Sequence, residues 1–158
     1  MTKKLNHFLE WTVVFLLSIM LLSVLWGVAT RYIFENPSSW TEELARFTLI
    51  WVSILGAAYI SGKDAHIAID LLPSYLSLKN NLRLRIFVAV TVALFVLAVF
   101  IVGGLRYVYI SFKLGQTSAA LELPMGYVYL ILPIAGLIVI HFKIIQFNQT
   151  ARELKLLK

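Results

Sequence analysis

Four long stretches of the chain are almost free of charge, and each is closed off by Lys, Arg or a turn. The first, Trp11 to Thr30, spans about 20 residues, which a helix rising 1.5 Å per residue needs to cross a 30 Å hydrocarbon core. Further spans are expected over 44–62, 86–110 and 126–147. A cleaved signal peptide would carry a shorter apolar run ending in an A-x-A-like site. This run ends Gly27-Val28-Ala29-Thr30-Arg31 and is read as a retained span. The pattern predicts an all-α integral membrane protein, a single four-helix domain over 1–158.

The polar positions between the spans carry the local signals. Pro37 pushes Asn36 out of the α region, so Asn36-Pro37-Ser38 is a turn. Ser39 with Glu42 three residues later then forms a capping box that opens the second helix. Trp26, Tyr32, Phe34 and Trp40 cluster at that end as an aromatic belt. Between spans two and three, Ile67, Ile69, Leu71, Leu72, Tyr75 and Leu76 interleave with His66, Asp70, Lys79 and Arg83. That stretch is expected to lie along the membrane interface, with His66 and Asp70 on its polar side, and Pro73 prevents one continuous helix; an ordinary connector is the other reading. Pro133 removes a backbone donor inside span four and predicts a kink there.

Composition supports lipid as the solvent. The chain is 60% hydrophobic and 14% charged, against roughly 45–50% and 25% in soluble domains. A net charge of +6 does not indicate nucleic acid, because the 14 Lys and Arg sit at the ends of apolar runs and make no basic face. They set orientation instead. With a cytoplasmic N-terminus, ten of them (Lys3, Lys4, Lys63, Lys79, Arg83, Arg85, Lys143, Arg152, Lys155, Lys158) fall inside and four (Arg31, Arg46, Arg106, Lys113) outside. Both termini are therefore expected in the cytoplasm, with the Trp40 to Arg46 cluster and the Gln116 to Pro124 loop facing outward. With no Cys there is neither a disulfide nor a thiolate metal site.

The chemistry available is sparse. Glu42 and Glu43 lie in a first helical turn, where the macrodipole favours negative charge, and Glu42 stands four residues before Arg46, the favourable order for a helical ion pair. Arg46 enters the apolar zone and needs a carboxylate, a headgroup or a neighbouring protein. No Asp, Glu, Lys, Arg or His occurs in Trp11 to Thr30, Phe47 to Gly62 or Ile86 to Leu105, and span four has none before His141. Ion-coupled carriers place such groups at depth, so transport by this chain alone is not expected. His66, Asp70 and Asp64 are too few for a metal site, and no nucleophile, base and acid gather on one side of the membrane, so neither metal nor enzyme activity is expected. Packing residues are plentiful: Ser23 and Gly27, then Ser53, Gly56 and Ala57 around Trp51, then Gly103 and Gly104, are candidates for helix–helix contact within the chain or with another subunit.

Trp40-Thr41-Glu42-Glu43-Leu44-Ala45-Arg46-Phe47, Gly56-Ala57-Ala58, Ala65-His66-Ile67 with Asp70, and Leu123-Pro124-Met125-Gly126 with Tyr129 and Pro133 together resemble the small membrane subunit of tripartite ATP-independent periplasmic (TRAP) transporters, the DctQ-like family. The resemblance covers essentially the whole chain, and with four spans it is to the separate rather than the fused form. It implies a bacterial inner-membrane protein paired with a large membrane subunit and a periplasmic substrate-binding protein, for sodium-driven uptake of an organic acid. Sodium and substrate sites are then expected in the large subunit, and none here beyond bound phospholipid. Trp40, Glu42, Glu43, Arg46, Gln116, Thr117 and Ser118 become candidates for seating the binding protein, and the packing residues above for the large subunit. An anchor or assembly subunit of another complex, or a stand-alone small carrier, are the alternatives.

Overall fold

The computed structural model describes residues 2–63 and 77–156; of the expected interfacial segment, His66 to Leu76 with Asp70 and Pro73 lie outside the described residues, and Lys79 and Arg83 fall in the helix that begins at Leu78. Among the described residues, four helical runs, Lys4–Tyr32, Ser39–Gly62, Leu78–Lys113 and Met125–Leu156, are long and apolar enough to cross a membrane. The first two are the uninterrupted helices α1 (Thr2–Tyr32) and α2 (Ser39–Gly62). Serine and threonine within the spans bond back to their own helices, as Thr12 to Phe8 O at 2.9 Å, Ser18 to Val14 O at 2.9 Å and Thr48 to Leu44 O at 2.7 Å. A hydroxyl in lipid has no water to turn to, and the carbonyl one turn back satisfies it.

The third span is not the single α-helix its sequence suggests. Helix α3 (Leu78–Val96) widens into a π-helical segment (Leu97–Gly103) and resumes as α4 (Gly104–Lys113). The reason lies in what it crosses. A Cβ added to Gly136 would come within 3.0 Å of Phe100 Cβ and Ile101 Cγ1, and one added to Gly104 within 3.1 Å of Pro133 Cδ. The widened turn and the bare glycines let two backbones approach where bulkier residues would hold them apart. The fourth span breaks at Leu130 between α5 (Met125–Tyr129) and α6 (Ile131–Leu156), three residues before the buried Pro133. This is where the missing proline donor interrupts the ladder.

Packing orders the spans in a row. α2 packs on α1 and on α6, and α6 on α3, so the order is first, second, fourth, third, an open layer rather than a closed bundle. Its core is Leu9, Leu55, Ala58, Ile131, Ala135 and Phe142, with Phe142 against the bare Cα of Gly62. Large apolar side chains such as Phe15, Leu22, Phe87 and Val102 remain exposed.

Two local expectations are corrected. The N-cap of α2 is Ser38, not Ser39, so Glu42 falls one place too far along to reach back as a capping-box partner. Thr41 takes the third helical position, and its hydroxyl donates to Ser38 O at 2.7 Å. Lys143, read as an inner flank, is 2% exposed within α6 and donates to Gln146 Oε1 at 2.9 Å. Its long stem packs into the layer while the ammonium finds polar partners toward the helix end.

Candidate functional site

The turn after α1 and the loop between α4 and α5 share one face of the layer, and there the polar residues gather. Helix α4 ends in a Schellman motif: Gly115 adopts φ +60°, Gln116 N donates to Ser111 O at 3.0 Å and Gly115 N to Phe112 O at 3.1 Å. The loop then folds back on itself. Ser118 N donates to Leu123 O at 2.9 Å, Leu123 N to Ser118 Oγ at 3.2 Å and Met125 N to Gln116 O at 2.8 Å, around an isolated antiparallel bridge between Thr117 and Pro124. At its tip Glu122 holds φ +53°.

Glu43 fastens this loop to α2. Ala119 N donates to Glu43 Oε1 at 2.9 Å and Leu121 N to Glu43 Oε2 at 3.0 Å, so one carboxylate receives two backbone donors more than 70 residues away in sequence. Such charge-assisted bonds are stronger than neutral ones and hold the loop against the helix start.

Glu42 turns the other way. It pairs with Arg31 at the end of α1, which corrects the expected bond to Arg46. Glu42 sits in the first turn of α2, close enough to the end of α1 for its carboxylate to take the Arg31 guanidinium across the turn. Beneath the pair a hydroxyl chain ties the turn together: Thr30 Oγ1 lies 3.1 Å from Ser38 Oγ, which lies 3.0 Å from Thr41 Oγ1. Thr41 is 1% exposed because Gly27 leaves room for its hydroxyl, which would sit 2.8 Å from a Cβ there. Arg46 is exposed and makes no ion pair among the described residues.

The remaining predicted residues divide. Glu43 and Ser118 are brought together through the loop, while Trp40, Gln116 and Thr117 stay exposed around it. Ser23 is buried, Gly27 receives Thr41, Gly104 receives Pro133, and Trp51 Nε1 donates to Val128 O at 3.0 Å, all within the chain. Ser53, Ala57 and Gly103 are exposed, and a Cβ at Gly56 would meet nothing within 4 Å. Sequence reasoning passed over Arg31, Thr41 and Glu122; the opposite charges of Arg31 and Glu42 on either side of a short turn were the available signal.

The family model for the DctQ component of tripartite ATP-independent periplasmic transporters matches residues 20–153. The chain belongs to this family. It is 24% identical over 135 residues to the sialic acid TRAP transporter small permease protein SiaQ of Vibrio cholerae, covering 82% of this chain and 78% of that one. It is 26% identical over 143 residues to a putative TRAP transporter small permease protein of Haemophilus influenzae, covering 88% and 87%. Over 108 residues it is 31% identical to the isethionate TRAP transporter permease protein DctMQ of Oleidesulfovibrio alaskensis, covering 66% of this chain and 16% of that one. The chain is thus a DctQ-type small TRAP permease subunit, a multi-pass protein of the bacterial inner membrane.

Proposed function

We propose that this DctQ-type subunit is the static, non-substrate-binding scaffold of its transporter. It pairs with a large membrane subunit for sodium-driven, binding-protein-dependent uptake of an organic acid. The observation that carries this reading is the open row of helices. What the row encloses is the apolar core of Leu9, Leu55, Ala58, Ile131, Ala135 and Phe142, which offers a polar solute no partner, while the exposed Ser53 and Ala57 and the half-buried Gly56 on α2 offer the close approach that helix partners need in lipid. The short match to the long DctMQ permease supports a large-subunit partner, and the relatives' printed substrates, sialic acid, isethionate and C4-dicarboxylate, support an acidic solute. The substrate and coupling-ion sites then belong to the large subunit, and both termini to the cytoplasm.

Expression of the large subunit and binding protein without this chain is expected to abolish uptake, and Gly56→Leu with Ala57→Leu to reduce recovery of the large subunit with a tagged small one. Undiminished uptake without the chain, or solute movement by the chain alone in liposomes, would defeat the reading.

A further inference from the structure

A groove of about 640 Å³ opens between the end of α1 and the start of α2. It exists because the facing residues are small. Ser23, Gly27 and Ala45 line it with short side chains, so the two helices touch through Gly27 and Thr41 and leave open space beside that contact. Its floor is polar although it lies inside a span, with Ser23 6% and Thr41 1% exposed, and Val24 and Val28 form an apolar wall. From Ser23 to Arg31 is two helical turns, so the groove reaches roughly 12 Å down from its mouth.

The mouth carries both signs of charge. Arg31 and Glu42 meet there, each with more than half of its side chain exposed, so further guanidinium N–H donors and a second carboxylate oxygen remain available to a ligand. Because the two charges cancel, the mouth favours a ligand carrying both signs over a net anion. The exposed aromatics Trp26, Tyr32 and Phe34 beside it mark headgroup level. The surroundings are thus a charged rim, hydroxyls below it and an aliphatic wall deeper still.

We propose that this groove binds one zwitterionic phospholipid with a primary ammonium headgroup, its phosphate on Arg31, its ammonium on Glu42 and its first acyl carbons against Val24 and Val28. A free phosphate would engage the rim and leave the apolar depth unused. The inference concerns the chain's own surface and stands apart from whether a large subunit carries the transport sites.

The test is native mass spectrometry of the full chain, delipidated in detergent and titrated with phosphatidylethanolamine, phosphatidylglycerol or inorganic phosphate. One phosphatidylethanolamine per chain is expected, held more tightly than phosphatidylglycerol. Arg31→Met combined with Glu42→Gln should weaken its retention about tenfold by removing charge-assisted contacts. Val28→Trp, at a half-exposed wall position, should do so by filling the groove, while Leu22→Trp, exposed outside it, should not. Equal retention in the double variant and Val28→Trp, phosphatidylglycerol bound as tightly as phosphatidylethanolamine, or displacement by inorganic phosphate would each overturn the proposal.

Discussion

Glu42 and Glu43 are neighbours in the chain and serve different parts of the fold. Successive residues on a helix point about 100° apart, so Glu42 reaches Arg31 on α1 while Glu43 reaches the loop between α4 and α5. The acceptor geometry makes Glu43 the more consequential of the two. Replacing it with Ala leaves the Ala119 and Leu121 amides without their carboxylate, and both are expected to exchange hydrogen about tenfold faster, measured by mass spectrometry on the purified protein. Unchanged exchange would mean that the Thr117 to Pro124 bridge holds the loop unaided. The acidic pair was legible as a helix start; its division of labour was not, because the partners come from segments far away in sequence.

At the scale of elements, the crossing of the third and fourth spans rests on matched irregularities. The π-helical segment sits over Gly136, and Gly104 sits over Pro133. Gly104→Leu would set a side chain against Leu132 Cβ at 3.0 Å and the Pro133 ring at 3.1 Å, atoms close to the backbone that cannot swing aside. A loss of about 1–3 kcal/mol is expected, seen as a lower midpoint in a thermal unfolding or aggregation assay in detergent. Gly103→Leu, at an exposed position whose Cβ meets nothing closer than 3.6 Å, should be far milder, and equal effects would argue against this crossing. The proline break could be anticipated from one residue. The π-helical segment could not, since Leu97 to Val102 are ordinary apolar residues and the deviation answers the shape of the opposing helix.

For the whole molecule, four crossings would put both termini on one face and the Glu43-bound loop on the other. The surplus of Lys and Arg on the terminal side then argues that this face is cytoplasmic. A C-terminal green fluorescent protein fusion should be fluorescent and an alkaline phosphatase fusion inactive; the reverse would invert the orientation and place the loop face inside. The single-layer arrangement also gives the subunit much surface for its volume, which suits a protein whose proposed work is to hold another.

Hydropathy and proline determined that the chain would be all-α with four helices long and apolar enough to cross a membrane, because the cost of placing backbone and charge in lipid acts on each segment by itself. The ordered motifs likewise placed the chain in its family. What the tertiary structure alone decided is who meets whom: Arg31 with Glu42, Glu43 with the distant loop, Trp51 with Val128, and the row in place of a bundle. Helices that are apolar all round carry no stripe to announce which side faces protein, so neighbours are chosen by the fit of glycines, ring faces and hydroxyls, which exists only once the helices have come together.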